Sequence, residues 1–157
     1  MDHMVLGVDP GKTGAGALIN PISNTLEAHF QFKALGIQGF VGWVSILKDL
    51  CPKLYAVVED VHSMPKQGVV STFTFGKSYG EILGVLYASE IRVVPVKPAV
   101  WKGRLGLSSD KMDSVVLAQK IFSKQKEVFT KKTEAIAEAA LLAHYGALLK
   151  RSLEIGK

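Results

Sequence analysis

Two short apolar runs, MVLGVD at 4–9 and LYAVVE at 54–59, each close on an acid, Asp9 and Glu59. Runs of this length bounded by turn residues read as buried strands. If the two strands are adjacent and parallel, both carboxylates emerge at one sheet edge. In open α/β sheets that edge, outside the carboxyl ends of the strands, is where ligands bind. Carboxylates brought within several Å repel each other, so the arrangement requires a cation or a raised pKa. The plainer alternative is that each strand simply ends on a charge where it meets water.

The rest of the chain supplies a sheet around these runs. The turn PGKTG follows the first, and GAGALIN at 14–20 reads as a second strand. After the turn NPISN, the stretch 25–33 alternates well enough for a third, so short turns imply an antiparallel meander. Ile37, Phe40, Val41, Val44, Ile46 and Leu47 recur at helical spacing and predict a helix over 36–50, stopped by Pro52. After Glu59 comes a polar loop with Pro65, Lys66, Gln67 and Gly68, then a helix over about 74–89 and a strand at 91–96. Beyond Pro98 the chain reads as irregular through WKGRLGL. A helix over about 110–124 follows, capped by Ser108 or Ser109 with Asp110 in its first turn, and a last helix covers about 133–150. The expectation is one α/β domain spanning 1–157, with a mixed sheet of five strands flanked by helices.

Composition removes several function classes. Apolar residues make up 48% and charged residues 21%, which is globular. No apolar run approaches the roughly 18 residues needed to cross a bilayer, so no membrane is expected. No secretory signal is visible at the N-terminus, and the single cysteine, Cys51, excludes an internal disulfide. A reducing cytoplasm is the expected compartment. The net charge of +5 points weakly to a polyanionic partner.

The last helix adds to the acids. From Ile136 to Leu149 it is apolar on nearly every face and should be buried. Glu134 and Glu138 nevertheless lie four apart on one face of its first turns. Glu134 suits a helix N-terminus through the macrodipole. Glu138, among Ala137, Ala139, Ala140, Leu141 and Leu142, needs a cation or a hydrogen-bond partner, because an unpaired buried carboxylate is expensive. Asp9, Glu59, Glu134 and Glu138 are together the inventory of a two-metal phosphodiester hydrolase. Mg²⁺ is the natural ion, two per site about 4 Å apart, with Asp9 bridging both.

Two other readings of the first loop are weaker. GVDPGKT resembles a phosphate-binding P-loop but is one residue short between glycine and GK, and it carries a proline and the acid inside the turn. Asp9, Gly11 and Thr13 also fit the phosphate loop of actin-like ATPases, but those enzymes need a second domain that 157 residues do not supply. No nucleotide cofactor is expected.

Taken together, these stretches resemble the RuvC-type Holliday-junction resolvases of the RNase H-like superfamily. VLGVDPGKTGAGALI resembles their first motif, and YAVVEDVHSMPKQGVVSTFTFGKSYGEILGVL their second, most closely in the phage-encoded branch. VVPVKPAVWKGRLGLSSDKMDSVVLAQKIF resembles the third block, and EAIAEAALLAHYG the terminal helix that completes the site. The matches come in the family's order and cover most of the chain. The resemblance implies an RNase H-like sheet and a homodimer that binds four-way DNA junctions. It would nick two strands of like polarity symmetrically, using Mg²⁺, with Mn²⁺ as a substitute. A phage-encoded member would act in the host cytoplasm. Asp9 and Glu59 match the first two catalytic acids, and Glu134 and Glu138 the final pair. Bacterial members carry two aspartates three apart, whereas this chain has glutamates four apart, which leaves open which of the pair binds metal directly.

For the DNA, the loop after Glu59 offers His62, Lys66, Gln67, Ser71, Thr72, Phe73, Phe75 and Lys77. Basic and hydroxyl groups suit phosphates, and aromatics suit unstacked bases. Lys12 in the first loop, and Lys102, Arg104 and Lys111 beyond Pro98, form further basic candidates. Lys111 at a helix start opposes the dipole and suggests a phosphate contact. Lys124, Lys126, Lys131 and Lys132 read rather as a solvated surface, and Trp43 and Trp101 as packing. Gly76, Gly80 and Gly84 at four-residue spacing suit either a dimer interface or close packing on the sheet. Three rivals remain: a nuclease for other branched DNA or RNA–DNA hybrids, a junction-binding protein that does not cleave, and a small-molecule phosphotransfer or ATP-binding domain built on the Asp9 loop.

Overall fold

The structure is a computed structural model that describes residues 3–155. Its five strands are β1 (Val5–Asp9), β2 (Ala15–Asn20), β3 (Thr25–Gln31), β4 (Tyr55–Glu59) and β5 (Arg92–Val96). They form one sheet in the order β3-β2-β1-β4-β5. β1 to β3 are the antiparallel meander expected from the turns, and β4 and β5 continue the sheet parallel to β1. Because β2 reverses the chain, β1, β3, β4 and β5 all end at one edge, with Asp9, Gln31, Glu59 and Val96 as their last residues.

The helices are α1 (Phe32–Leu50), α2 (Val69–Ala88), α3 (Pro98–Arg104), α4 (Lys111–Ile121) and α5 (Glu134–Ile155). Two 3-10 segments, Ser123–Val128 and Lys131–Thr133, join α4 to α5. The sheet separates two cores. Val5, Ala15, Ala17, Ile19 and Val57 face α5, α4 and Trp101. Leu6, Val8, Leu18, Phe30, Ala56 and Val58 face α1 and α2. The period-two alternation of β1 thus sends Val5 and Gly7 toward α5, and Leu6 and Val8 the other way. That is why MVLGV is apolar throughout.

α5 lies unusually close to β1, and its alanines permit it. Ala137, Ala139, Ala140 and Ala143 are fully buried. A Cβ on Gly7 would stand 1.9 Å from the Ala139 carbonyl oxygen, and one on Gly146 would stand 2.3 Å from Val57 Cγ2. Both glycines are required where helix backbone meets sheet.

Four expectations need correction. α2 begins at Val69, five residues before the predicted start at 74, so Ser71, Thr72 and Phe73 belong to its first two turns and not to a loop. Val69 and Val70 are β-branched and poor helix formers, and Gly68 precedes them in an extended conformation without a side-chain cap, so the usual start signals are missing. The stretch read as irregular contains α3, started by Pro98 at its first position. Asp110 is itself the N-cap of α4, accepting from the Met112 amide at 2.9 Å, while Ser108 supports Asp110 from outside the helix. α5 runs to Ile155, past the expected end at 150. In α1, Gly36 at φ 61° breaks the helix, so the regular part begins where the periodicity placed it.

Candidate active site

The sheet edge collects the acids. Asp9 continues the Val5–Gly7 face of β1, and Glu59 continues the Tyr55–Val57 face of β4. Both therefore point toward α5. The strands are paired in parallel up to Val8 opposite Val58, so the next residues, Asp9 and Glu59, stand about one strand spacing apart, ~4.8 Å along the hydrogen-bond direction. From above, α5 presents Glu138, 8% exposed, and one turn earlier Glu134. The four acids expected to act together are thus gathered from β1, β4 and α5.

Their electrostatics report the crowding. Asp9 keeps some surface but is densely enclosed, and this burial pushes its carboxyl well above the usual range. Glu138 and Glu59 push it further up, while Lys102 and Lys111 pull it down. Glu59 is also raised by burial, against a hydrogen bond from Trp101 and the Lys102 charge. Trp101 is fully buried, and its Nε1–H donates to Glu59 Oε2 at 2.9 Å. Packing was the reading for Trp101 and it holds, but its bond to Glu59 has no signature in the sequence.

Two lysines answer the remaining acids. Lys102 Nζ lies 3.0 Å from Glu138 Oε1, and Lys111 Nζ 2.8 Å from Glu134 Oε1. The Glu134 bond raises the Lys111 ammonium pKa. Lys111, expected near phosphate from its helix-start position, reaches the site from the first residue of α4. With the side chains so arranged, no three acids among the described residues enclose a metal position. The donor set still suits a hard divalent cation. It is all carboxylate oxygen, and the neighbouring acids raise the proton affinity of Asp9 and of Glu59, a conflict that divalent charge would relieve.

A polar cavity of about 520 Å³ opens over this edge, lined by Asp9, Glu134, Glu138 and Lys111, and by Thr13, Gln31, Lys33, Lys131 and Lys132. Lys131 and Lys132, read from sequence as a solvated run, in fact line the site. The available signal was their place immediately before Glu134.

The remaining DNA candidates spread outward. Lys12 is exposed in the turn after β1, where Gly14 N donates to Gly11 O at 3.0 Å. This turn leads into a strand and not a helix, which removes the P-loop reading. His62 and Gln67 line a shallow groove with Phe75 and Pro98, and Phe75 lies against the β1–β2 turn, 3.5 Å from a Cβ built on Gly11. Gln67 accepts from the Met64 amide and donates to Ser71, tying the loop to α2. Phe73 is 72% exposed, so packing of the helix start does not account for it. Lys66, Thr72, Lys77 and Arg104 stand along the same loop, α2 and the end of α3. Cβ atoms on Gly76, Gly80 and Gly84 would meet nothing within 4 Å, so close packing on the sheet is not their role.

The mixed sheet order, with a terminal helix laid across β1 and acids at the shared strand edge, is the RNase H-like fold. Within it the chain is similar to Thermus thermophilus RuvC, solved in complex with a Holliday junction substrate, with a TM-score of 0.71 and 16% identity over 96% of each chain. A second structure of Thermus thermophilus RuvC matches with a TM-score of 0.66 and 15% identity, covering 95% of this chain and 96% of that one. The large terminase nuclease of thermophilic phage G20c matches with a TM-score of 0.53 and 12% identity, over 90% of this chain and 80% of that one. No protein-family model matches the sequence, and no curated protein sequence does.

Proposed function

We propose that this chain is a divalent-metal-dependent endonuclease that resolves four-way DNA junctions by paired, symmetric nicks. One observation carries the reading. Asp9, Glu59 and Glu138, from three elements far apart in sequence, converge closely enough that Glu138 and Glu59 push the Asp9 carboxyl up and Glu138 pushes the Glu59 carboxyl up. They do so in a fold similar over nearly the whole chain to a protein solved on such a junction.

Asp9, Glu59 and Glu138, with Glu134 beside them, would hold two divalent cations, Mg²⁺ or Mn²⁺. Bound there, the cations would supply activation of water and charge stabilisation at the leaving 3′ oxygen. The chain's own residues do the rest. Trp101 orients the Glu59 carboxylate. Lys102 and Lys111 hold Glu138 and Glu134 in place and put positive charge where a phosphodiester enters. The exposed Phe73 and the basic residues of the Lys66–Lys77 region suit the unstacked centre of a branch. Paired nicks require two sites related by symmetry, and the open face of α2, with its three glycines, suits contact with a second copy.

The test is cleavage of an end-labelled four-way junction beside linear duplex, flap and RNA–DNA hybrid, in Mg²⁺, Mn²⁺ and EDTA. Paired nicks in the junction alone, lost with EDTA and in Asp9→Asn and Glu138→Gln, are expected. Cutting of flaps or hybrids widens the substrate class. Tight junction binding without nicks in either metal refutes the catalytic assignment. Sedimentation at the mass of one 17.0 kDa chain at micromolar concentration refutes the dimer.

A further inference from the structure

The cavity over the acids has a basic rim that neither the acids nor their lysine partners use. Lys33 stands on one side, two residues beyond Gln31, where β3 gives way to α1. Gln31 pairs with Ala15, which pairs with Asp9, so this wall lies two strand spacings from Asp9, about 10 Å. Lys131 and Lys132 reach the same cavity from the 3-10 turn that leads into Glu134. Lys33, Lys131 and Lys132 have no ion-pair or hydrogen-bond partner among the described residues, in contrast to Lys111 on the same cavity, which pairs with Glu134.

The turn that carries two of them is held firmly. Thr130 and Thr133 cap it reciprocally, with Thr130 N donating to Thr133 Oγ1 at 2.9 Å. Thr133 Oγ1 also donates to Val128 O at 2.6 Å, and Gln119 Nε2 donates to Phe129 O at 2.7 Å. Phe129 itself is fully buried against Phe122. The backbone that carries these two cations needs no further ordering on binding, which leaves only the side chains to be fixed. Lysine is a mobile point charge without a fixed fork, which suits the phosphates of a continuous backbone better than one planar anion.

We propose that Lys33, Lys131 and Lys132 form a phosphate-binding arc that holds the scissile strand across the acids, the strand entering between the start of α1 and the turn before α5. The proposal rests on the nuclease reading above and deepens it by giving the strand a path.

The test measures the salt dependence of DNA binding in EDTA, on four-way junction and on linear duplex. Lys131→Gln/Lys132→Gln and Lys33→Gln are compared with Lys124→Gln/Lys126→Gln, an exposed pair outside the cavity whose removal changes the charge by the same two units. Each lost phosphate contact shallows the slope of log K against log salt by about 0.9. Lys131→Gln/Lys132→Gln should lose about 1.8, so the wild-type advantage shrinks about 12-fold between 50 and 200 mM salt. Lys33→Gln should lose about 0.9, and the control pair much less than either. Equal effects of the two pairs would overturn the arc in favour of net charge, as would unchanged slopes. Absence of nicking by the wild type on every DNA in both Mg²⁺ and Mn²⁺ would refute the nuclease reading, while the slopes still score the arc on whichever DNA is bound. A wild type that binds neither DNA overturns both.

Discussion

Trp101→Phe separates a packing role from a site role at one residue. Trp101 is fully buried, and its only polar atom donates to Glu59 Oε2 at 2.9 Å. Phenylalanine keeps a ring in the core but removes the donor and leaves a gap. A hydrogen bond to a charged group contributes about 1.5–3 kcal/mol, and Glu59, half-buried and able to turn toward water, sets the loss at the low end. The smaller ring vacates roughly 40 Å³, which at about 24 cal/mol per Å³ costs about 1 kcal/mol more. The sum, about 2.5 kcal/mol, lowers the Tm of a chain this size by roughly 5–10 °C. A double-mutant cycle with Glu59→Ala, read by urea unfolding of the metal-free protein, cancels the cavity and isolates the pair. It should return a coupling of about 1.5 kcal/mol. The hydrogen bond also lowers the Glu59 pKa, so in Trp101→Phe the carboxyl should titrate still higher by carboxyl carbon NMR. A coupling within about 0.3 kcal/mol of zero, with the Glu59 titration unmoved, would refute the reasoning.

Three further outcomes are expected. Asp9 has a raised folded pKa, so its contribution to stability is complete below the ordinary carboxylate pKa and is lost as pH rises through the folded value. Metal-free Asp9→Asn should therefore melt higher than wild type at neutral pH, with the gap closing toward pH ~4; a wild type that melts higher at neutral pH refutes the account. Mg²⁺ at about a hundredfold its Kd should stabilise the wild type by about 2.7 kcal/mol in thermal melts, and Asp9→Asn should lose most of that gain. Gly7→Ala should cost about 3 kcal/mol or more in urea unfolding, because the new methyl would run into α5 backbone that no side-chain rotation can clear, while Gly76→Ala, in open space, should be neutral or stabilising by up to ~1 kcal/mol.

The sheet was legible because β1 and β4 carry their burial in uninterrupted apolar runs, and because turns too short for a crossover force β1 to β3 to be antiparallel. The acids were legible for a related reason. A carboxylate ending a buried strand, or one set among alanines and leucines as Glu138 is, contradicts its surroundings and so marks itself. What escaped was written in tertiary contact. The start of α2 is held by Gln67 reaching Met64 and Ser71, against the preference of Val69 and Val70. The indole of Trp101 finds Glu59 across 42 positions of sequence. Lys131 and Lys132 look like any solvated pair until the turn before α5 folds them over the cavity.

The close seat of α5 on β1 also bears on the order in which the molecule comes into being. β1 leaves the ribosome before α5, with the other four strands of the sheet made between them, yet Asp9 meets Glu138 only when the two are in contact. A contact of such sequence separation forms late, since the loop between must first be closed. Until then Gly7 leaves a slot along β1 with nothing to fill it, and the growing chain exposes apolar surface there. A nascent chain therefore holds its acids apart until α5 docks, and any chemistry they perform together begins only then.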